Sequence, residues 1–412
     1  MFNEQAVLNK AQKYNSFYLY DEKSILKYTQ RLKEHFPDIN LLYSIKANPH
    51  KHVIKSVFSQ GFGADAASLG EVLLGSKLGL SKDEIYYSAP GKSDNDILNS
   101  IDKSIIIADS LTEIERINTI ANDKNIVVEI GVRINPNFTF YSDRGLPSKF
   151  GIDEDDFYKH FDWINSLSGV NIVGIHVHSR SQELDVEVMK KYYTNMFNLS
   201  CSVQDKLGIQ LKFINLGSGL GIPYSSKDEE IDTKELGRQT AELLEQFKEK
   251  LAGVKIYIET GRYAVCKSGV YATKVLDIKT SNGKKFVILD NTLNGFIRPS
   301  LAHLIMSYSK DENPSGNEPL FTQKNAFDFI VLANSAETKH KDKVDRENVT
   351  LVGNLCTSAD IIADDIDLPT INIEDVLVVT NAGSYAAVLS PRQFASMIVP
   401  QEFFLTKSGE II

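Results

Sequence analysis

Residues 40–67 read NLLYSIKANPHKHVIKSVFSQGFGADAA, which is a short apolar run, a turn, a longer segment and a second short run. In His52–Ser59 the apolar residues recur three and four positions apart, and this spacing predicts an amphipathic helix. The flanking runs, Asn40–Lys46 and Phe62–Ala67, have the length of strands. The stretch therefore predicts a strand–helix–strand unit.

The same unit recurs along the chain to about residue 260. Six further runs have strand length: Ile85–Pro90, Ser104–Asp109, Ile126–Asn135, Val170–His178, Gln210–Gly217 and Val254–Thr260. Amphipathic segments between the runs include Leu69–Leu78, Leu111–Ala121, Val186–Leu207 and Thr233–Leu251. An open doubly wound sheet would use similar units, but it usually has fewer strands, and no Gly-x-Gly-x-x-Gly follows the first strand. The pattern favours a closed (β/α)8 barrel.

After Arg262 the pattern changes to alternating runs separated by polar loops that contain Gly or Pro. These runs are Val270–Thr280, Lys285–Asp290, Asp328–Ala333, Val349–Val352 and Val376–Asn381. They predict a separate β domain with little helix. Two charged stretches, Ser309–Leu320 and Glu337–Asn348, are predicted to be solvated loops.

The composition is that of an ordinary globular protein, with 412 residues, 42% hydrophobic residues and 24% charged residues. A net charge of -9 argues against nucleic acid or an anionic membrane as a partner, so small molecules are expected. The chain has three cysteines, Cys201, Cys266 and Cys356. Their odd number and the absence of metal-ligand spacing indicate free thiols and no metal site. The N-terminal segment is polar, and no apolar run approaches about 18 residues. The sequence therefore predicts a cytoplasmic protein.

The reactive groups of such a barrel lie just beyond the C-terminal ends of its strands. Polar and glycine residues fall at five of the predicted ends: Lys46, Asp65, His176 with His178, the loop 217–221, and Glu259 with Arg262. A lysine in the barrel mouth can be desolvated and act as a nucleophilic amine. Closely spaced glycines let backbone N–H groups approach a phosphate. Together the five ends predict one site.

Each of these features also has a simpler explanation. Lys46 could be a solvated charge, the two histidines could be core residues, and the glycine loop could be a plain turn. Glu259 and Arg262 could form an ordinary surface ion pair. The sequence pattern alone leaves these alternatives open.

At these residues the sequence resembles the fold-type III pyridoxal-phosphate (PLP) decarboxylases, the diaminopimelate, ornithine and arginine decarboxylase group, which share a barrel with alanine racemase. The motifs that carry the resemblance occur in the family's order: Phe17-Tyr-Leu-Tyr-Asp, Tyr43-Ser-Ile-Lys46-Ala-Asn, Asp65-Ala-Ala-Ser-Leu-Gly-Glu71, Lys149-Phe-Gly-Ile, His176-Val-His178, Asn215-Leu-Gly-Ser-Gly-Leu-Gly221, Glu259-Thr-Gly-Arg262, Ile297-Arg298-Pro, Gly353-Asn-Leu-Cys356 and Ala382-Gly-Ser-Tyr385. The resemblance implies an α/β fold with an alanine-racemase-like barrel over residues 25–264. A β-sandwich or barrel-like domain would combine residues 1–24 and 265–412.

The resemblance also implies a PLP site. The residues expected around the cofactor are Lys46, Asp65, His178, Ser181, Gly217, Ser218, Gly219, Glu259, Gly261, Arg262 and Tyr385. Lys46 would bind PLP covalently, and His178 would stack on its ring. Glu259 would keep the pyridine nitrogen protonated and so strengthen the ring as an electron acceptor. Alanine racemases have an arginine there, so Glu259 favours decarboxylation over racemisation.

The implied catalytic residues are Lys46, His178 and Cys356. Cys356 would return a proton to the carbon that has lost carbon dioxide, in the active site of the partner subunit of a homodimer. The simpler explanation is a buried structural thiol. Arg262, Arg298, Cys356, Thr357 and Tyr385 are expected to contact substrate, and the two arginines could clamp a distal carboxylate.

Two differences from the diaminopimelate enzymes alter the expected substrate. Thr357 stands where those enzymes have an acidic residue, and their Arg-Pro-Ala-Leu-Tyr reads Arg298-Pro-Ser-Leu-Ala302 here. The Cys-Thr pair and Gly221-Ile-Pro-Tyr224 are more similar to the branch that acts on siderophore or antibiotic precursors, including carboxyl-rich conjugates and carrier-bound amino acids. An amino-acid racemase and a non-catalytic PLP-binding homologue are the alternatives.

Overall fold

The computed structural model describes residues 2–217, 219–224, 228–308, 327–333 and 345–412. Their helices are α1 (Glu4–Ala11), α2 (Glu22–His35), α3 (Lys51–Phe58), α4 (Leu69–Lys77), α5 (Asp94–Ser100), α6 (Leu111–Asp123), α7 (Glu154–Lys159), α8 (Phe161–Asn165), α9 (Val186–Leu207), α10 (Thr233–Phe247), α11 (Arg262–Val265) and α12 (Ile297–Tyr308). None of the helices in this part of the chain has the length and apolar character needed to cross a membrane.

The strands divide between two sheets. Those of the first are β2 (Asn40–Ser44), β3 (Gly63–Ala66), β4 (Ile85–Tyr87), β5 (Ile105–Ala108), β6 (Val128–Asn135), β7 (Ile152–Asp153), β8 (Val170–His176), β9 (Phe213–Asn215) and β10 (Lys255–Thr260). Those of the second are β1 (Ser16–Asp21), β11 (Gly269–Ser281), β12 (Lys284–Leu289), β13 (Phe329–Leu332), β14 (Arg346–Gly353), β15 (Ile361–Pro369), β16 (Val376–Val379) and β17 (Gln401–Leu405).

The first sheet closes into a parallel barrel. Its strands follow chain order from β2 to β10, β5 pairs with β6, and β10 returns to pair with β2. The two-residue strand β7 lies outside this ring and pairs with β6. Every predicted strand of the barrel is present, and the closed barrel is confirmed over the open sheet.

An apolar cluster fills the barrel interior beneath the site. It contains Leu42, Tyr86, Ile105, Ile107, Val173, Phe213 and Tyr257. The rings of Tyr86 and Tyr257 lie 4.8 Å apart, and those of Tyr86 and Phe213 lie 5.1 Å apart. Gly174 makes room for this cluster, because a Cβ there would lie 2.3 Å from the Phe213 ring. The interior is therefore packed with side chains, which leaves the C-terminal end of the barrel for a cavity.

The second sheet brings the two ends of the chain together. Its order is β13, β16, β11, β12, β14 and β15, and β1 lies antiparallel to β11 and parallel to β17. The β-rich region predicted after Arg262 is confirmed, although it also contains α12. The acidic stretch that forms β15 had no clear strand pattern. Aspartate is uncommon in strands. In β15 the negative charge of Asp364 is compensated by an ion pair with Lys284 at 2.5 Å.

One loop prediction is wrong in part. The stretch Ser309–Leu320 lies outside the described residues, as do residues 337–344. Arg346, Glu347 and Asn348 form the start of β14 rather than a loop. They pair with β15, and Glu347 receives a hydrogen bond from Lys285 at 2.6 Å, so pairing and charge compensation outweigh their polar character.

Candidate active site

Polar side chains form a layer directly above the apolar cluster of the barrel. Side chains two residues apart on a strand share a face, so the residue two positions after an inward apolar residue also points inward. Five apolar residues of the cluster have a polar residue two positions later. The pairs are Leu42 and Ser44, Tyr86 and Ser88, Ile107 and Asp109, Phe213 and Asn215, and Tyr257 and Glu259. All five polar residues are buried. Strand alternation thus places a buried polar layer at the C-terminal end of the barrel.

A cavity of about 710 Å³ opens above this layer. Seven of the residues expected around the cofactor line it: Lys46, His178, Ser181, Glu259, Gly261, Arg262 and Tyr385. Six of these come from the barrel, while Tyr385 follows β16 of the second sheet. The structure therefore gathers side chains from distant parts of the sequence around one space.

Lys46 lies in a short 3-10 turn directly after β2. Its Nζ donates to Asp65 Oδ2 at 3.0 Å, and Asp65 is fully buried and also accepts a hydrogen bond from Ser88. Burial acts to lower the pKa of Lys46, but the negative charge of Asp65, with Tyr385 and Glu259 nearby, outweighs it and raises the pKa. Lys46 is therefore held in an ion pair, which argues against the simpler explanation of a solvated lysine.

Glu259 is buried, with 2% of its surface exposed, so the surface ion-pair explanation is wrong. Its Oε1 accepts from Asn215 Nδ2 at 2.9 Å and lies 3.1 Å from His176 Nε2. Burial acts to raise the pKa of Glu259, but His176 and Lys46 outweigh burial and hold this pKa below its ordinary value. The site therefore contains a charged carboxylate shielded from water.

His178 lies just beyond β8, which ends at His176 rather than at the predicted His178. Burial lowers the pKa of His178 to about 3, despite the opposing influence of Glu259, so its ring is neutral around pH 7. Its Nε2 lies 3.3 Å from Ser181 Oγ, and its backbone oxygen accepts from Arg133 at 3.1 Å. A neutral, fixed ring facing the cavity is suited to stacking on a flat ligand.

Tyr385 is anchored beside Lys46. Its backbone N–H donates to Ala47 O at 2.8 Å, and its φ of 51° lies in the left-handed region, which costs a non-glycine residue free energy. The Arg262 guanidinium lies 4.8 Å from the centre of the Tyr385 ring and donates a hydrogen bond to Tyr224 Oη. These contacts hold Tyr385 in the lining of the cavity.

The glycine loop is held from beneath the cavity. Gly217 has a φ of 69°, and a Cβ there would lie 2.3 Å from Val177 O. Its N–H donates to Asn215 Oδ1 at 2.9 Å. Gly217 and Gly219 are not among the residues that line the cavity, and Ser218 lies outside the described residues. The shape of the loop requires glycine at Gly217 whatever it binds.

The remaining predicted residues lie apart from the cavity of their own chain. Arg298 is fully buried, with its guanidinium 4.6 Å from the Tyr224 ring and 5.3 Å from the Phe327 ring. Cys356 and Thr357 lie in the turn after β14, and the Cys356 thiol is exposed, so the buried-thiol explanation is wrong. Across the described ranges, no three metal-binding side chains are clustered.

Sequence reasoning missed several residues of the site, including Arg133, Asn215 and Arg180, and gave His176 no role. Arg133 and Arg180 line the cavity, whereas Asn215 and His176 contact Glu259 from below. The signal that could have found Asn215 is its spacing, two residues after the inward Phe213 and two before Gly217. Arg180 gave no such signal, because it lies in an irregular loop beyond the end of β8 at His176.

Comparison with known proteins gives one consistent result. Residues 22–266 match the family described as pyridoxal-dependent decarboxylase, pyridoxal binding domain. A Niallia circulans decarboxylase of L-glutamyl-(BtrI acyl-carrier protein) is 29% identical over 95% of this chain and 89% of its own. A Staphylococcus aureus decarboxylase of 2-((L-alanin-3-ylcarbamoyl)methyl)-2-hydroxybutanedioate is 28% identical over 95% and 94%. The structure of Helicobacter pylori diaminopimelate decarboxylase with L-lysine matches at 26% identity, with a TM-score of 0.81 and coverage of 100% and 95%.

Proposed function

Because the chain belongs to the family of pyridoxal-dependent decarboxylases, we propose that PLP binds in the cavity around Lys46 and that the substrate is an amino-acid conjugate with an acidic distal end. The chain is a PLP-dependent amino-acid decarboxylase. The observation that carries the assignment of the site is the pairing of one lysine with buried Asp65, in a cavity that also contains the charged carboxylate of Glu259.

The residues present fit the cofactor. PLP needs an amine for its aldehyde, an acid for its ring nitrogen, a flat partner for its ring and donors for its phosphate. Lys46, Glu259 and His178 meet the first three needs, and all three line the same cavity. Gly261 lets the chain after β10 pack closely against the turn that carries Lys46, because a Cβ there would lie 2.8 Å from Ala47 Cβ. Ser181 and Tyr385 are suited to the phosphate.

When bound, PLP supplies an electron-accepting ring that stabilises the charge left on the α-carbon as carbon dioxide departs. Glu259 holds a proton at the ring nitrogen, because its charged carboxylate favours the positive form of that nitrogen. His178 would remain neutral and would offer its ring for stacking on that of the cofactor. Asp65 orients the Lys46 amine. Because the polar layer is buried away from water, each of these electrostatic interactions is stronger than it would be in solvent.

The charges that line the cavity favour an acidic substrate. Arg133, Lys149, Arg180 and Arg262 line it together with Lys46, and Glu259 is the acidic residue among the described lining residues. Asp65, Asp109 and Glu183 pair with Lys46, Arg133 and Arg180 respectively, and the phosphate and the α-carboxylate would balance further positive charge. Arg180 lies on the loop side of the cavity, over the Tyr141 ring at 4.9 Å, where a distal group could reach it. The hydroxybutanedioate named for the Staphylococcus aureus relative carries two carboxylates.

Arg180→Gln is expected to reduce selectivity for an acidic distal end by about 10- to 100-fold, because a hydrogen bond to a charged group is worth about 1.5–3 kcal/mol. The measurement compares kcat/KM for a citrate-conjugated diaminopropionate with that for its distal carboxamide. Lys191→Gln is the matched control, since Lys191 is 51% exposed and pairs with Asp143. A variant at Arg180 that keeps the wild-type preference would remove Arg180 from substrate recognition.

We also propose that the active form is a homodimer in which Cys356 serves the partner's active site. The exposed Cys356 thiol lies in a turn of the second sheet and does not line the cavity of its own chain, which supports a role across an interface. In that position it would return a proton to the decarboxylated carbon. Thr357, next to Cys356 in this turn, would shape the same region of the partner's pocket, whereas Arg298, fully buried beside Tyr224, would support the pocket of its own chain.

The dimer can be tested by mixing two inactive proteins, Cys356→Ala and Lys46→Ala. Random exchange of subunits would give about half mixed dimers, each with one intact site of two, so about one quarter of wild-type activity is expected. Formation of the normal decarboxylated product is measured before and after exchange, because Cys356 acts only after carbon dioxide has left. Activity that stays at the level of the separate variants would place both residues in the same subunit's site.

A further inference from the structure

Asn215 links the carboxylate of Glu259 to the glycine loop. It is the last residue of β9 and is fully buried. Its Nδ2 donates to Glu259 Oε1, and its Oδ1 accepts from the Gly217 N–H, both at 2.9 Å. Asn215 is not among the residues that line the cavity. A single amide therefore uses both of its polar groups on parts of the site without facing the ligand.

The Gly217 contact fixes the orientation of this amide. A backbone N–H can only donate, so Asn215 must turn its oxygen towards Gly217 and its NH₂ towards Glu259. That NH₂ needs an acceptor, which favours the charged form of Glu259. His176 Nε2 also lies 3.1 Å from Oε1, whereas the other oxygen, Oε2, has His178 Nδ1 at 3.9 Å. Both close contacts therefore fall on Oε1.

Gly217 transmits the position of Asn215 to the rest of the site. A Cβ at Gly217 would lie 3.1 Å from His178 Cα, and the Glu259 N–H donates to Gly217 O at 2.8 Å. The loop is thus packed against the backbone of His178 and bonded to that of Glu259. A change in the amide of Asn215 would disturb all three residues.

We propose that Asn215 is a positioning residue that couples the charge on Glu259 to the backbone conformation at Gly217, so that the carboxylate for the ring nitrogen of PLP and the His178 ring are positioned together. This inference rests on PLP binding in the cavity and is independent of the substrate. Asn215 acts through Glu259 and Gly217 rather than through contact with the cofactor.

Asn215→Asp separates the two functions of the amide. An aspartate can still accept from Gly217, but it turns a second carboxylate oxygen towards Glu259, so that one of the two acids takes up a proton more readily. At pH 8 the dissociation constant for PLP is expected to be about 10-fold or more above that of wild type. The ratio of the variant's dissociation constant to that of wild type should fall as the pH decreases to about 6. At the lower pH the two carboxylates share a proton, which restores a hydrogen bond between residue 215 and Glu259. Titration of the cofactor-free proteins with PLP measures both constants.

A second variant and a control make this test specific. In Asn215→Asp with Glu259→Gln, the glutamine can donate to the aspartate, so the pH dependence of the ratio should disappear. Asn294→Asp adds a charge at another buried asparagine, which hydrogen-bonds Asn291, and should give a ratio near one at each pH. A pH-independent loss in Asn215→Asp, or no loss, would overturn the proposal. Failure of the wild-type protein to bind PLP would instead refute the proposed function.

Discussion

Lys46→Ala is expected to abolish decarboxylation, with a fall in rate of about ten thousand-fold or more, because the variant lacks the amine proposed to bind the cofactor covalently. The visible absorption of lysine-bound PLP should disappear as well. Carbon dioxide release and the absorption spectrum are measured on the same preparation. Since Asp65 keeps its hydrogen bond from Ser88, the variant should still fold.

Lys46→Arg is the matched control for charge. Arginine can preserve the ion pair with Asp65, but its guanidinium is always charged and cannot act as a nucleophilic amine. Covalent chemistry therefore requires Lys46→Arg to be as inactive as Lys46→Ala. Substantial activity in the arginine variant would mean that Lys46 contributes charge alone.

Glu259→Gln is expected to lower kcat by about 100- to 1,000-fold, the scale of losing a preorganised electrostatic contact in a buried site. Glutamine has nearly the same shape but no charge, so it cannot hold the ring nitrogen in its protonated form. The pKa of Glu259 is held below its ordinary value of about 4.3, so the wild-type carboxylate stays charged from weakly acidic pH upward. The difference between variant and wild type should therefore persist across the neutral range.

The control for this variant is Glu347→Gln, which removes a carboxylate that pairs with Lys285 at 2.6 Å in the second sheet. It should leave kcat unchanged. Rate constants at saturating substrate and the pH dependence of the cofactor spectrum are measured for both variants. A Glu259→Gln enzyme with wild-type kcat would show that the reaction does not need the charge at this position.

The barrel could be predicted because its strands and helices have different sequence periods. The run Asn40–Lys46 and the helical spacing of His52–Ser59 correspond to β2 and α3. The end of each strand then identified Lys46, Asp65 and Glu259, since the fold itself brings strand ends to one rim. Local pattern was sufficient there because local structure and position in the barrel are linked.

Other features depend on contacts that no local pattern contains. The strand β15 holds acidic residues that are compensated by Lys284, which is distant in sequence. The strand spacing of Asn215 places it in the polar layer, but its hydrogen bonds to Glu259 and Gly217 become visible only in the folded chain. Arg180 reaches the cavity through an irregular loop. Tertiary packing decides each of these cases.

The most direct test of the central claim is the release of labelled carbon dioxide from α-carboxyl-labelled amino acids by the purified protein, with and without PLP. The substrates should include diaminopimelate, glutamate and citrate-conjugated diaminopropionate, together with the distal carboxamide of that conjugate as the neutral comparison. The expected result is release that requires PLP, requires Lys46 and is fastest with a substrate that has an acidic distal end. Release that is independent of PLP or of Lys46 would contradict the assignment of the active site. Equal rates with acidic and neutral distal ends would contradict the proposed substrate class.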